Sequence, residues 1–162
     1  MNKIIALLLW LALSPVGESQ SLRPTTDSPV IAAGAFFALF VPDLEASTKW
    51  YSEKLGLKVV MRVPKQDKAA VAVLEGSGLI VELIQHDDAL PLSKVTGGAK
   101  DSPLVYGIFK AGVIVNDFDK TLAMLKARNV EIAYGPFPAR PNQRANVIIR
   151  DNASNLIQLF GK

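Results

Sequence analysis

Hydrophobic and polar residues follow the same order twice along this chain. In the first block, residues 30–41 are mostly apolar, and Asp43 then precedes a segment whose apolar residues recur at helical spacing as far as Leu55. Three short runs rich in β-branched residues follow, at 57–63, 69–74 and 79–84. The pattern predicts a strand, a helix from about Leu44 to Leu55, and three further strands.

The second block repeats this order after a connecting loop at 86–105. Residues 106–115 are again apolar, Asp117 again precedes a helical pattern, and three more runs typical of strands follow at 130–134, 145–150 and 156–160. Asp117 follows Asp43 by 74 positions. The two blocks therefore predict an internal duplication, with modules at 30–85 and 106–162.

Both predicted helices carry the signals of helix ends. Asp43 and Asp117 can each accept a hydrogen bond from the unpaired N–H groups of the first helical turn. Gly56 supplies the left-handed residue that ends the first helix, and Asn129 takes the corresponding place after the second.

The amino-terminal segment is typical of a secretory signal. Lys3 precedes ten consecutive apolar residues at 4–13, which cover only about half of a bilayer core of ~30 Å when helical. Small residues at 17 and 19 favour cleavage after Ser19. We therefore expect a signal peptide at 1–19, a flexible tether at 20–29, a periplasmic or secreted location, and no membrane attachment after cleavage.

Composition narrows the classes of function. The chain has 162 residues, 49% of them apolar, and no cysteine, which excludes thiolate metal sites, disulfides and thiol nucleophiles. His86 is the only histidine, and no G-x-S-x-G turn is present, which argues against a serine hydrolase triad. The net charge of +3 is small and dispersed, so we expect no nucleic-acid partner.

The first module also resembles a known family. The stretches VPDLEAS at 41–47 and WYSEKLGL at 50–57 resemble the first-module signature of the vicinal oxygen chelate superfamily, which includes glyoxalase I, bleomycin resistance proteins and extradiol dioxygenases. The resemblance implies an α+β fold for 30–162, in which two tandem βαβββ modules form curled mixed sheets, or half-barrels, around a cleft with the helices outside. It also implies four inward side chains that usually hold a divalent metal.

Most of those metal-binding positions carry unsuitable residues here. By the resemblance, the positions correspond to Phe36, Glu82, Lys110 and Gln158. Phenylalanine cannot coordinate a metal, and a protonated lysine offers no lone pair. We therefore expect no metal and no cofactor at this site, and we expect the Lys110 ammonium to pair with Glu82 in place of the ion.

The predicted cleft is instead a mixture of apolar and polar groups. Alternation along the strands, together with the resemblance, assigns six residues to it: Phe36, Phe40, Glu82, Lys110, Ile114 and Gln158. The favoured hypothesis is a binding module for a small amphipathic organic acid, with a homodimer as a further expectation. Two alternatives stay open, namely a lyase, isomerase or dioxygenase with an altered site, and a structural or partner-binding protein with a vestigial cleft.

Overall fold

A computed structural model describes residues 35–95 and 108–162 of the chain. The predicted signal peptide and tether at 1–29, the start of the first predicted strand at 30–34, and residues 96–107 lie outside the described residues. Within the described ranges, no helix is long and apolar enough to cross a membrane.

Two βαβββ modules follow each other, as the sequence predicts. The first consists of β1 (Ala35–Phe40), α1 (Leu44–Leu55), β2 (Lys58–Gln66), β3 (Ala69–Gly76) and β4 (Leu79–His86). A short helix, α2 (Leu92–Val95), follows it. The second consists of β5 (Ala111–Val115), α3 (Phe118–Ala127), β6 (Glu131–Phe137), β7 (Asn146–Arg150) and β8 (Leu156–Gly161).

Each module forms its own four-stranded mixed sheet. The strand orders are β1-β4-β3-β2 and β5-β8-β7-β6, so the first and last strands of each module are parallel neighbours. The other pairings are antiparallel. Among the described strands, none pairs across the two sheets and no barrel closes. The predicted α+β fold with two tandem modules is thus confirmed.

The strand β5 begins later than the sequence pattern predicts. Residues 108–110 lie outside the strand, and pairing starts where Ala111 meets Ile157 of β8. A strand requires a hydrogen-bonded neighbour, and an apolar run cannot indicate where that neighbour begins.

The ends of the two helices match their sequence signals. The Asp43 carboxylate accepts a 2.9 Å hydrogen bond from the Ala46 amide, and Asp117 accepts the equivalent 2.9 Å bond from Lys120. Gly56 adopts a φ of 76° after α1. Asn129 has a φ of 53° after α3, a left-handed conformation that asparagine tolerates better than most residues.

One hydrophobic core draws on both modules. Buried residues of the first sheet and of α1 belong to the same cluster as Leu125 of α3 and four residues of the second sheet: Val147, Ile149, Ile157 and Leu159. In each sheet the alternate residues point to the opposite side. The fold therefore leaves one face of each sheet outside this cluster.

Candidate functional site

The side of the first sheet turned away from the core carries three of the predicted cleft residues. The register of β1 and β4 brings six residues to this side, in the pairs Phe36–Ile80, Ala38–Glu82 and Phe40–Ile84. The alternate residues Val81 and Leu83 are fully buried in the core. Phe36 and Phe40 are each 61% exposed, and Glu82 is half-buried. We call this surface the first face; it is largely apolar and has a carboxylate in its middle strand.

The corresponding side of the second sheet carries the other three predicted cleft residues, Lys110, Ile114 and Gln158. Gly112 lies beside Gln158, and Ile114 lies beside Phe160. Lys110 directly precedes β5, so alternation continued by one residue assigns it to the same side. We call this surface the second face. It combines the exposed side chain of Ile114 with a basic group.

The amide of Gln158 is already engaged on the second face. Gln158 is 8% exposed and its Nε2 donates a 2.8 Å hydrogen bond to Oδ1 of Asn146, which is also buried. Ile148, which is opposite Gln158 and two residues from Asn146 along β7, is buried on the same side but lies outside the common core cluster. The second face therefore contains a buried amide pair that the sequence did not predict.

Lys110 is in an unusual position for a lysine. Its side chain is half-buried, and its Nζ lies 5.9 Å from the centre of the Phe109 ring. Desolvation lowers the pKa of Lys110 below the usual 10.5. A partly desolvated ammonium has three donors and gains most from an anionic partner, because the anion replaces the lost hydration.

The six predicted residues therefore form two groups of three. The expected ion pair between Glu82 and Lys110 does not form within the chain: the ion pairs between described residues involve other groups. The physical reason is that the two residues lie on faces of separate sheets, which share no strand pairing. The expectation of a pair inside one chain was wrong.

The residues at the family's metal positions do not fit a divalent metal. Their donor set is one carboxylate, Glu82, and one amide, Gln158, whose nitrogen is bound to Asn146. In the described ranges, no three histidine or acidic residues cluster in a way that could hold a metal ion. The acidic residues after His86 are paired with lysines instead, since Lys65 contacts both carboxylate oxygens of Asp87 at 2.7 and 2.8 Å.

The modules meet through a buried hydrogen bond that sequence reasoning missed. The hydroxyl of Tyr51, in α1, donates a 2.8 Å bond to Oδ2 of Asp151, in the turn before β8. Tyr51 is fully buried and Asp151 is 4% exposed. Burial, and then the charge and hydrogen bond of Asp151, raise the pKa of Tyr51. The tyrosine therefore stays protonated and acts only as a donor.

Three further donors complete the environment of Asp151. The amides of Ala153 and Asn155 donate to Oδ1 at 2.9 and 2.7 Å, and Nδ2 of Asn155 donates to Oδ2 at 2.9 Å. Close by, Nδ2 of Asn152 donates to Oγ of Ser47 in α1 at 3.1 Å. A turn rich in Asp and Asn is a recognisable sequence signal, but a single sequence does not reveal that its partner is Tyr51.

Two small cavities occupy equivalent places in the two modules. A cavity of about 290 Å³ lies where Leu44 and Glu45 of α1 approach Val63 and Pro64, and one of about 210 Å³ lies where Phe118 and Asp119 approach Phe137 and Pro138. The paired residues are 74 positions apart, as the duplication requires. Neither cavity is lined by the six predicted cleft residues.

Comparisons with known proteins agree with this architecture. The family model described as Glyoxalase/Bleomycin resistance protein/Dioxygenase superfamily matches residues 35–159. A glyoxalase family protein from Enterococcus faecalis has a similar structure, with a TM-score of 0.63 and 15% identity over 77% of this chain and 94% of that one. An antibiotic binding protein from Streptomyces sp. CB03234 gives a TM-score of 0.58 and 19% identity over 81% and 96%. A comparison with curated proteins finds no significant match.

Proposed function

The chain belongs to the glyoxalase/bleomycin resistance protein/dioxygenase superfamily, and from that premise we propose that it is an exported protein that binds a small amphipathic organic acid without a metal ion. The observation that carries the proposal is the half-buried Lys110 on the same face as the exposed apolar residue Ile114. A ligand with a carboxylate and a hydrocarbon or aromatic body would match both groups.

The apolar part of the ligand has suitable surfaces available. Phe36 and Phe40 on the first face and Ile114 on the second are all more than half exposed, and removing such surface from water favours binding. One protein of similar fold is described as antibiotic binding, which supports a binding role for this architecture.

The test compares matched pairs of ligands. Titration calorimetry with aliphatic and aryl carboxylic acids and with their neutral primary amides should show tighter binding of the acids by about 10- to 100-fold, the range expected for a charge-assisted hydrogen bond. Lys110→Met should reduce acid affinity to that of the amide. Lys126→Met, at an exposed position on α3, is the matched control and should preserve the difference.

Equal affinity for acids and amides in the wild-type protein would contradict this proposal. Absence of binding across a varied set of acids would do the same, and would favour a protein whose cleft has lost its ligand.

Export forms the second part of the proposed function. Its support is the sequence pattern at 1–19, where a lysine precedes the apolar run and small residues precede the expected cleavage point. Protein recovered from the periplasm or medium should begin at Gln20 by amino-terminal sequencing. A full-length product retained in the membrane fraction would refute export with cleavage.

A further inference from the structure

We propose that the bound acid carries a hydrogen-bond donor at the end opposite its carboxylate, and that Oε1 of Gln158 accepts from this donor on the second face. The inference rests on the proposed function and narrows the ligand class to amphipathic acids with a terminal hydroxyl or N–H group. In this arrangement Lys110 binds the carboxylate, and the apolar body of the ligand lies over Gly112.

A chain of hydrogen bonds determines which way the Gln158 amide points. The backbone carbonyl of Arg144 can only accept, and Nδ2 of Asn146 donates a 3.1 Å hydrogen bond to it. Asn146 therefore turns its Oδ1 toward β8, where Oδ1 accepts the 2.8 Å bond from Nε2 of Gln158. If either amide were flipped, two nitrogens or two oxygens would face each other. The carbonyl oxygen of Gln158 is consequently the acceptor that remains for a ligand.

Burial of both amides makes this orientation costly to change. Asn146 is 4% exposed and Gln158 is 8% exposed, so water does not readily replace a lost partner at either amide. Between described residues, the side chain of Gln158 forms only the bond to Asn146, and no donor reaches Oε1. Most buried polar atoms in proteins have a partner, so this oxygen favours a ligand that brings a donor.

Gly112 leaves space for a ligand next to this acceptor. It is exposed in β5 and lies beside Gln158 in the register. Gly112 is not among the glycines with a positive φ, and a Cβ at this position would be 3.9 Å from its two nearest atoms, an ordinary contact distance. Neither the backbone conformation nor the packing therefore requires glycine here. A glycine within a strand often marks a place where a ligand approaches the backbone closely.

The separation of the two polar groups defines the length of the ligand. Lys110 precedes Gly112 by two residues, and Gly112 is the register partner of Gln158 in the parallel pairing of β5 and β8. Two residues at ~3.3 Å each and one strand spacing of ~4.8 Å place the Cα atoms of Lys110 and Gln158 roughly 8 Å apart. An acid with a chain of several methylene groups between its carboxylate and its donor covers a span of this order. Ile114 and Phe160, the next pair along the two strands, add apolar surface at the Gln158 end.

The test compares ω-hydroxyhexanoate with heptanoate, which differ by a terminal hydroxyl and a terminal methyl group. Each compound is used as the carboxylate and as its neutral primary amide. Titration calorimetry with the wild-type protein should show at least about fivefold tighter binding of the hydroxyl compounds, because the methyl group leaves the buried acceptor unpaired. This hydroxyl preference is measured separately from the preference for carboxylate over amide, which reports on Lys110.

A double variant removes the acceptor without leaving its partner amide unpaired. Asn146→Leu combined with Gln158→Met replaces both amides by apolar side chains of similar size, which costs less stability than removing one of them. This variant should bind the hydroxyl and methyl compounds with affinities within about twofold of each other, and should retain the carboxylate preference. Gln66→Met, at an exposed position in β2, is the matched control and should keep both preferences.

Asn146 is a positioning residue in this arrangement, and a third ligand reports its role. The ether oxygen of ω-methoxyhexanoate accepts hydrogen bonds but cannot donate, so the wild type should bind this acid about as weakly as heptanoate. In the single variant Asn146→Leu the Gln158 amide can turn and offer Nε2 to the ether. The ratio of hydroxyl to methoxy affinity should then fall by at least about threefold. A merely structural role for Asn146 would weaken both ligands equally and leave the ratio unchanged.

The outcomes separate this inference from the proposed function. Equal affinity of the wild type for the hydroxyl and methyl compounds, with carboxylates preferred over amides, would overturn only the requirement for a donor. A hydroxyl preference without a carboxylate preference would overturn only the acid binding of the proposed function. A hydroxyl preference that persists in the double variant, shown to be folded by circular dichroism and urea unfolding, would refute the role of Gln158. Absence of binding by all four compounds would contradict both proposals.

Discussion

The two modules have the same backbone plan but present different side chains at equivalent positions. Tyr51 in α1 and Leu125 in α3 are 74 positions apart and both are fully buried, yet only the tyrosine carries a polar group. Phe36 and Lys110 are related in the same way, and one is an exposed aromatic residue while the other is a half-buried cation. The two modules have therefore kept the same order of helix and strands, but their equivalent side chains differ in polarity and charge.

Because their side chains differ, the two modules contribute different groups to the hydrogen bond that joins them. The first module contributes a hydroxyl donor from α1, and the second contributes the Asp151 carboxylate that accepts from it. In the first module, the corresponding turn between β3 and β4 contains Ser77, which is exposed. The turn of the second module thus has a role between modules that its counterpart lacks.

The largest expected effect comes from breaking this asymmetric contact. Asp151→Ala leaves the Tyr51 hydroxyl and the donors from Ala153 and Asn155 without their acceptor, and unsatisfied buried groups cost about 1–3 kcal/mol each. We expect a loss of about 3–4 kcal/mol in the free energy of unfolding, measured by urea denaturation. Ser77→Ala, at the equivalent turn, should change it by about 0.5 kcal/mol or less. Similar losses in both variants would show that the turns do not differ in this way.

A smaller and symmetric effect is expected at the helix caps. Asp43→Ala and Asp117→Ala each remove a 2.9 Å hydrogen bond to the first helical turn. Each should lower the free energy of unfolding by about 1 kcal/mol, with Asp43→Asn and Asp117→Asn close to the wild type. Chemical denaturation of the four variants checks this. If one substitution lowers the free energy of unfolding much more than the other, the two helix caps do not contribute equally to stability.

The smallest effect is a pH dependence that comes from Lys110 in the second module and that the equivalent residue of the first module, Phe36, cannot produce. The folded pKa of Lys110 is lowered, so between that pKa and the usual 10.5 the native chain binds fewer protons at this site than the unfolded chain. Stability should therefore rise with pH across this window, relative to Lys110→Met.

Measurements of unfolding at several pH values below 10.5 would test the sign of this difference, under conditions in which every protein has the same oligomeric state. Phe36→Met, at the equivalent position in the first module, is the control and should follow the wild-type pH profile. A difference between wild type and Lys110→Met that does not change with pH would refute the role assigned to desolvation.

Much of the fold could be predicted from local patterns. The bounds of α1 matched the prediction, since Asp43 and Gly56 determine its ends through contacts within a few residues. The start of β5 did not match, because it depends on where β8 offers a partner. For the candidate site, alternation assigned Phe36, Phe40 and Glu82 to one side of a sheet, as the register places them. It carried no information on whether Glu82 and Lys110 approach each other.

By itself, the sequence determined the two βαβββ modules, their helix caps and the sides of the strands, because each of these depends on spacing and on neighbours a few residues away. Only the tertiary structure decided how the modules meet. The bond from Tyr51 to Asp151 joins residues 100 positions apart, and the faces with Glu82 and Lys110 belong to separate sheets. Contacts over such separations depend on the packing of whole modules, which no local pattern in one sequence records.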